Sequence, residues 1–312
     1  MSTALVYVSD SQFLGPTLLS ARSFENLVGD ADIIVFVTDA SDNLLDSVQS
    51  WLNKSGSSVM VRSANMTTGS GFRILDHLTP ASFGRLQMHQ WLSSDYERVI
   101  YLDGDTLSGP IAIDFNVSLD GQMVGAVDDL AIVEKGEAGA LRAGLGLEAA
   151  GRYFNSGVLV IDWAQWLQAE TGERAIRFLE QHPELPFGDQ CALNRVCDEA
   201  WKPIDVSWNC QSPVMELEMI RSAARIFHFT GARKPWHLDK WRGPGTFSTF
   251  YRDGLPEIPG PCVLRADTIK SKGSRFLRPI GRKLSGKREF GWADWLAKTG
   301  MRPASQPQRR QG

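Results

Sequence analysis

The sequence is poor in cysteine and has no paired cysteine motif. Its four cysteines, spread over 312 residues, include no C-x-x-C pair, so the pattern does not indicate a disulfide framework. We expect the thiols to be reduced, as in a cytoplasmic protein.

The sequence also lacks a long hydrophobic run. The apolar segment Ala4–Val8 ends after five residues, at Ser9 and Asp10. No other run approaches the roughly 18 apolar residues of a membrane-spanning helix. We therefore expect neither a classical secretion signal nor an integral membrane protein.

A strong net charge is missing as well. The 33 basic and 36 acidic side chains give a net charge of −3 at pH 7, which argues against a dedicated nucleic-acid-binding protein. The charge is uneven, however, because residues 262–312 hold 13 basic and 3 acidic side chains. The Pro/Gly-rich segment Leu255–Pro261 lies where the charge changes. We predict one folded domain over residues 1–261, followed by a basic and aromatic tail over residues 262–312.

The first hundred residues alternate short apolar runs with helical patterns, which predicts an α/β protein with a parallel sheet covered by helices. The predicted strands are Ala4–Val8, Asp32–Thr38, Val59–Arg62 and Arg98–Leu102. The helical stripes are Leu14, Leu18, Ala21 and Val28, then Leu44, Leu45, Val48, Trp51 and Leu52, then a helix near Ala81–Leu92. After residue 103 the alternation stops, and candidate strands at Gln122–Val127, Phe154–Ile161 and Arg225–Phe229 predict a mixed sheet.

Asp103, Gly104 and Asp105 follow the last of the regular strands. In open α/β sheets, ligands bind beyond the carboxyl ends of the strands. Two carboxylates separated by a glycine can both face a hard cation such as Mg²⁺ or Mn²⁺, which stabilises charge on a departing diphosphate. For a D-x-D motif alone, a strand-capping turn with solvated acids is the commoner explanation.

Five further motifs accompany this one, and together they resemble the family 8 glycosyltransferases. That family comprises retaining enzymes of the GT-A fold and includes lipopolysaccharide galactosyltransferases and glycogenin. The six matching segments are YVSDSQF at 7–13, FGRLQM at 83–88, YLDGDT at 101–106, YFNSGVLVID at 153–162, GDQCALN at 188–194 and HFTGARKPW at 228–236. The resemblance implies a GT-A fold with a Rossmann-like nucleotide-binding half, a mixed central sheet and a basic C-terminal extension.

The resemblance implies a site for Mn²⁺ or Mg²⁺ held by Asp103, Asp105 and His228. Two carboxylates and an imidazole suit Mn²⁺. His228 alone, at the end of an apolar strand, would more often be a satisfied core residue. Gly231 and Lys234 follow it in one loop, where glycine permits close approach and lysine supplies a charge for phosphate.

For the nucleotide of a UDP-sugar donor, the resemblance implies contacts from Val8, Asp10 and Phe13, with the Phe13 ring stacked on uracil and Asp10 reading the edge of the base. Phe13 as the first core residue of the next helix is the alternative. Arg85 matches an arginine that reaches the donor, and a solvated helix charge is the alternative. Gly104 also belongs to this predicted donor site.

For the donor sugar, the resemblance implies contacts from Asn155, with Gly157 allowing close approach, although a tight turn before a buried strand is the alternative. Asp189 would bind sugar hydroxyls and Gln190 would lie near the anomeric carbon, while a Gly188-Asp189 helix cap is the alternative. Many members carry an acid directly after that glutamine, and here Cys191 takes its place, so no carboxylate nucleophile is expected there.

A further carboxylate, from either Asp128 or Asp129, is expected to face the sugar. The sequence alone leaves the choice between these neighbours open, and we take Asp129 as the candidate. The expected reaction retains the α configuration: the cation and Lys234 stabilise the UDP leaving group while the acceptor hydroxyl attacks from the same face.

These residues predict a hexosyltransferase that moves galactose or glucose from a UDP-sugar to a saccharide or glycolipid acceptor, in lipopolysaccharide or other surface glycan synthesis. One alternative is a phosphatase of the haloacid-dehalogenase type, although Leu107 stands where that class expects Thr or Val. The other is a non-catalytic carbohydrate-binding protein, to which ten tryptophans would contribute. The sequence does not distinguish glucose from galactose or identify the acceptor, its linkage position or the oligomeric state.

The basic tail is expected to bind an anionic membrane surface, because basic residues attract anionic headgroups and tryptophans such as Trp292 and Trp295 favour the interface. Pro279, Gly281 and Gly286 interrupt any long helix, so a solvated or partly disordered extension is the alternative. The resemblance favours attachment, since some bacterial members have such tails. We therefore expect a cytoplasmic protein that is peripheral on the inner face of the cell membrane.

Overall fold

The computed structural model describes residues 2–66, 80–237, 241, 243–260 and 291–301. Within this part of the chain the strands are β1 (Thr3–Ser9), β2 (Asp32–Val37), β3 (Met60–Ser63), β4 (Arg98–Leu102), β5 (Thr106–Ser108), β6 (Val124–Ala126), β7 (Val158–Asp162), β8 (Trp201–Pro203), β9 (Cys210–Gln211) and β10 (Ile226–His228).

The helices begin and end as follows. They are α1 (Leu14–Ser23), α2 (Asp42–Lys54), α3 (Gly84–Gln87), α4 (Leu130–Lys135), α5 (Ala138–Gly144), α6 (Trp163–Gln168), α7 (Thr171–Gln181), α8 (Gly188–Val196), α9 (Glu218–Arg221), α10 (Gly245–Gly254) and α11 (Trp292–Thr299). Short 3₁₀ turns cover Pro80–Phe83, Met88–Gln90, Val206–Asn209 and Leu255–Glu257.

A seven-stranded sheet forms the centre of the molecule, in the order β3-β2-β1-β4-β7-β6-β8. The first four of these strands are parallel. β7 runs antiparallel to both β4 and β6, and β6 and β8 are parallel to each other. The prediction of a parallel first half and a mixed central sheet is therefore confirmed.

Both faces of this sheet are covered, because successive side chains of a strand point to opposite faces. On β1, Leu5 and Tyr7 belong to one hydrophobic core, whereas Ala4 and Val6 belong to the other. The all-apolar strands of the first half follow from this double burial.

A second, three-stranded sheet has the order β5-β10-β9. β10 pairs antiparallel with β5, and this pairing sets His228 opposite Thr106. The two segments are separated by more than a hundred residues, so the small sheet is the element that brings distant parts of the chain together.

Two predicted helices differ from the observed ones. The first helix ends at Ser23, so Val28 packs in the core from the following turns instead of from the helix. The predicted helix near Ala81–Leu92 is broken into a 3₁₀ turn, the single turn of α3 and a second 3₁₀ turn.

α11, which lies in the predicted tail, packs against the main domain. Trp292, Leu296 and Met301 are buried in the same core as β1, and the backbone N–H of Val206 donates to the carbonyl of Met301 at 3.0 Å. The rest of the tail, including Pro279, Gly281 and Gly286, lies outside the described residues. Among the helices that the structure describes, none is long and apolar enough to cross a bilayer.

Candidate active site

Asp103, Asp105 and His228 converge at the carboxyl end of β4. One ligand atom from each lies within 4.8 Å of the others. Nε2 of His228 is 3.3 Å from Oδ1 of Asp105 and 3.8 Å from Oδ2 of Asp103. The three predicted ligands therefore share one site.

Local backbone hydrogen bonds hold this turn in place. Thr106 begins β5 and donates through both its N–H (3.2 Å) and its hydroxyl (2.8 Å) to the carbonyl of Asp103. The N–H of Phe229, directly after β10, donates to the carbonyl of Asp105 at 2.9 Å. The paired-acid turn and the histidine strand thus belong to one hydrogen-bonded unit.

Gly157 lies in close contact with two residues of the triad, His228 and Asp103. A Cβ added at this position would meet Cε1 of His228 at 2.3 Å and Oδ2 of Asp103 at 2.5 Å. Its carbonyl accepts a hydrogen bond from the N–H of Asp103 at 2.8 Å. Gly157 is thus packed closely against two residues of the triad, and the predicted approach of the donor sugar at this position stays a prediction.

Lys234 approaches the triad from the loop after β10. Its ammonium group pairs with Oδ2 of Asp105 and donates to the carbonyl of Phe229 at 2.6 Å. Gly231 has φ +85°, a conformation that glycine adopts without strain and that lets this loop turn back. Burial alone would raise the pKa of Asp105, but Lys234 and His228 outweigh it and hold that pKa below its usual range.

Arg85, on α3, is buried with 5% of its surface exposed, which excludes the solvated-charge alternative. Its guanidinium pairs with Oδ1 of Asp103 at 2.8 Å and with Oδ2 of Asp189 at 2.9 Å, and it donates to the carbonyl of Ser156 at 2.5 Å. It also stacks over the ring of Tyr101. Arg85 thus joins the cation site to Asp189, and its predicted contact with the donor stays a prediction.

Asp189 lies in the first turn of α8, which begins at Gly188 and carries no side-chain cap. The helix-cap alternative is therefore wrong. Burial raises the pKa of this carboxyl to about 6, against the lowering effect of Arg85.

Asn155, Gln190 and Asp129 form a hydrogen-bonded cluster beside the triad. The amides of Asn155 and Gln190 donate to Oδ2 of Asp129 at 3.2 Å and 3.1 Å. The buried carboxylate of Asp128 instead pairs with Arg152, whose side chain is 34% exposed. Of the two acids, Asp129 is therefore the one that joins the predicted sugar-binding amides, and its contact with the sugar stays a prediction.

Of the residues predicted to bind the nucleotide, Phe13 lies against Gly104 of the paired-acid turn. Oδ1 of Asp10 accepts a hydrogen bond from the N–H of Phe13 at 2.7 Å. The Phe13 ring packs close to Gly104 and stands edge-on to Trp236, with ring centroids 5.4 Å apart. Val8 packs against Gly84. Phe13 is only partly buried, so both of its proposed roles remain open to test.

Two residues of the site were not predicted. The hydroxyl of Tyr101 donates to Oδ1 of Asp103 at 2.9 Å, and the period-2 spacing on β4 would have indicated it. Oδ1 of Asn209 lies 3.0 Å from Nδ1 of His228. No sequence pattern marks Asn209, which lies in the mixed polar and apolar segment VSWNCQS at 206–212.

The donor set fits a divalent cation. Two carboxylates and one imidazole nitrogen are the ligand types that Mn²⁺ accepts. The histidine meets the carboxylates through Nε2 and keeps Nδ1 for Asn209, an arrangement typical of metal-binding histidines. Asp103, Asp105 and His228 are therefore suited to hold such an ion.

Sequence comparison gives a match over most of the chain. A family model described as "Glycosyl transferase family 8" matches residues 4–240. General stress protein A of Bacillus subtilis is 28% identical over 179 residues, 52% of this chain and 60% of that protein. Glycosyltransferase GlyF of Streptococcus pneumoniae is 23% identical over 76% of this chain and 58% of its own length. Lipopolysaccharide 1,2-glucosyltransferase of Escherichia coli is 29% identical over 52% of this chain and 50% of its own length. The matches thus span half to three fifths of these relatives.

Solved structures agree on the fold. Galactosyltransferase LgtC, in complex with donor and acceptor sugar analogues, superposes with a TM-score of 0.68 at 22% identity, covering 80% of this chain and 95% of LgtC. Glycosyltransferase GlyE of Streptococcus pneumoniae gives a TM-score of 0.56 at 18% identity, covering 82% of this chain and 63% of GlyE. At these identities the likeness establishes the fold alone.

Proposed function

Because this chain belongs to glycosyl transferase family 8, we propose that it is a metal-dependent retaining hexosyltransferase that moves galactose or glucose from a UDP-sugar to a saccharide hydroxyl. The observation that supports this most directly is the convergence of Asp103, Asp105 and His228 within 4.8 Å. We assign the reaction to the domain over residues 1–261.

A divalent cation held by this triad would supply positive charge to the departing diphosphate. Lys234 supplies a second positive charge at the same place, because its ammonium already lies against Asp105. On the base side, Phe13 offers a partly exposed ring for stacking, and the carboxylate of Asp10 is held beside it.

The sugar is proposed to lie against Asn155, Gln190, Asp129 and Asp189. The first three are already linked by hydrogen bonds, so their polar groups are oriented before a ligand arrives. Preorganised dipoles and charges stabilise a developing oxocarbenium-like sugar more strongly than mobile ones. Position 191 carries a cysteine and therefore offers no carboxylate. Its thiol lies 3.1 Å from the hydroxyl of Tyr153. This is consistent with a reaction that needs no nucleophile at that position.

Hydrolysis of UDP-sugars tests the donor without knowledge of the acceptor. UDP-glucose and UDP-galactose are incubated with the full chain and Mn²⁺, and UDP release is measured. We expect Mn²⁺-dependent release from one of the two, abolished by EDTA. Equal release with and without the cation would contradict the proposal.

Asp105→Asn provides the sharper control, because it keeps the shape of the side chain and removes its charge. We expect it to lose most of the Mn²⁺-dependent release. Asp120→Asn is the matched variant, since Asp120 is exposed and pairs with Lys202 away from the site. Near-normal release by a folded Asp105→Asn variant would disprove the metal role.

The acceptor and location are proposed from the relatives. Escherichia coli relatives are named lipopolysaccharide glucosyltransferases, so we propose a saccharide or glycolipid acceptor in surface glycan synthesis, in the cytoplasm at the membrane face. Sedimentation with vesicles that contain anionic phosphatidylglycerol tests the tail. Replacing Lys283, Lys287 and Arg288 by glutamine should reduce binding. This triple variant is preferable to deletion, because Trp292 and Leu296 pack in the core.

The two alternatives make different predictions. A phosphatase would hydrolyse p-nitrophenyl phosphate, and a carbohydrate-binding protein would bind sugars without turning over a nucleotide donor. Family membership favours the transferase over both, and release of UDP without phosphatase activity would separate all three.

A further inference from the structure

Asn209 lies between the cation triad and the predicted sugar-binding amides. It ends the 3₁₀ turn Val206–Asn209, and none of its surface is exposed. Its Oδ1 is 3.0 Å from Nδ1 of His228, and its Nδ2 is 3.0 Å from Oδ1 of Asn155. Both ends of the buried amide are therefore used.

The direction of these hydrogen bonds follows from a backbone donor. The N–H of Gly157 points at one side-chain atom of Asn155 at 3.1 Å, so that atom must be the carbonyl oxygen. The same oxygen faces Asn209, which must then present its NH₂ group. The remaining atom of Asn209 is an oxygen, and Nδ1 of His228 must donate to it.

A histidine that donates from Nδ1 presents the lone pair of its Nε2 when it is neutral. Nε2 is the atom that faces Asp103 and Asp105. We propose that Asn209 is a positioning residue that holds His228 in the Nδ1–H form, with Nε2 directed at the cation site. This inference rests on the proposed metal role of the triad.

The same chain of amides continues beyond Asn155. Its Nδ2 donates to Asp129 at 3.2 Å and to Oε1 of Gln190 at 3.2 Å, and the N–H of Ser156 confirms Oε1 as the acceptor at 3.1 Å. The hydrogen bonds of Asn209, Asn155 and Gln190 therefore require side-chain amide orientations that are compatible with one another. The imidazole of the cation site and the predicted sugar pocket are held by one continuous network.

Mn²⁺ affinity, measured by electron paramagnetic resonance of the free ion, tests the role of Asn209. Asn209→Leu removes the acceptor for Nδ1, and we expect Mn²⁺ to bind about 10 to 100 times more weakly, the usual effect of losing such a partner. Asn209→Asp keeps an acceptor oxygen for Nδ1 but loses the NH₂ group that faces Asn155, so its Mn²⁺ affinity should lie above that of Asn209→Leu.

Gln211→Leu is the matched control. Gln211 is a second fully buried amide two residues away, but its side chain bonds to the backbone of Asp128 and Leu130. We expect its Mn²⁺ affinity to stay within about twofold of the unmodified protein. Equal affinity of Asn209→Leu and Gln211→Leu would overturn the inference.

A measurement on the unmodified chain keeps the test independent of variants that fail to fold. Two-bond ¹H–¹⁵N correlation spectra of ¹⁵N-histidine-labelled, metal-free protein report which ring nitrogen carries a proton, with His228→Gln used for assignment. We expect a protonated Nδ1, and an unprotonated Nδ1 would overturn the inference. Absence of Mn²⁺ binding by the unmodified protein would instead contradict the proposed function, which separates the two failures.

Discussion

The ammonium of Lys234 pairs with Oδ2 of Asp105, the carboxylate whose other oxygen faces His228. Both side chains of the pair are largely shielded from water, with 16% and 13% of their surface exposed. The lysine therefore neutralises a carboxylate that the proposed cation also needs. We therefore predict that Lys234 and the proposed cation compete for Asp105 in the donor-free protein.

Lys234→Met is predicted to change cation binding and catalysis in opposite directions. Without a competing ammonium, Mn²⁺ should bind the donor-free protein about tenfold more tightly, which corresponds to ~1.4 kcal/mol. UDP-sugar turnover should fall about 10²- to 10³-fold, because one charge on the leaving group is lost. Isothermal titration and UDP release measure the two effects.

The control for this variant is Lys202→Met, which removes a lysine paired with the exposed Asp120. Both Mn²⁺ affinity and turnover should remain those of the unmodified protein. Weaker Mn²⁺ binding by Lys234→Met would contradict the competition.

Gly157→Ala is predicted to disrupt the cation site by steric contact alone. The new methyl group would lie 2.3 Å from the His228 ring and 2.5 Å from the Asp103 carboxylate, so two of the three ligands must move. We expect Mn²⁺ affinity to fall at least tenfold, as measured by electron paramagnetic resonance. Gly144→Ala is the matched variant, since a Cβ at Gly144 meets nothing within 4 Å. Unchanged Mn²⁺ affinity in Gly157→Ala would show that these ligands are not confined as described.

The pH dependence of turnover is predicted to depend on Asp189. Burial raises the pKa of its carboxyl to about 6, so the group is neutral below and ionised above that pH. Only the ionised form pairs with Arg85, and turnover should therefore rise as the pH increases through about 6. The Asp189→Asn variant should turn over UDP-sugar more slowly, and its turnover should not rise with pH near 6. The Glu173→Gln variant, altered on α7, should keep this rise. If the turnover of Asp189→Asn rises with pH at the same midpoint, a group other than Asp189 is responsible for the pH dependence.

The paired-acid motif could be predicted from the sequence because its signal is local. The apolar run Arg98–Leu102 was predicted with its observed bounds, and ligands gather where such strands end. His228 carried no comparable signal. Its place opposite Thr106 depends on antiparallel pairing between β5 and β10, a long-range contact that only the family resemblance anticipated.

Burial explains most of what the sequence could not show. The guanidinium of Arg85 contacts Asp103, Asp189 and Ser156 inside the protein, and nothing in the motif FGRLQM indicates that α3 is enclosed. Asn209 lies in a buried turn, and its two side-chain partners, His228 and Asn155, come from two other segments of the chain. Such residues are defined by tertiary contacts rather than by spacing along the chain.

α11 lies in the segment predicted as a separate tail, although its apolar side chains pack in the main core. Leu296 is fully buried in the core that also contains β1, and removing a buried leucine side chain costs about 2–5 kcal/mol. Leu296→Ala should therefore lower the free energy of unfolding of the whole domain by that amount, as measured by urea titration. Lys298→Ala, at an exposed position of the same helix, should change it by less than about 0.5 kcal/mol. If both variants unfold like the unmodified protein, residues 291–301 do not contribute to the domain, and the boundary after residue 261 stands. If only Leu296→Ala is destabilised, the folded domain extends through α11, and any membrane-binding role of the tail belongs to the residues on either side of it.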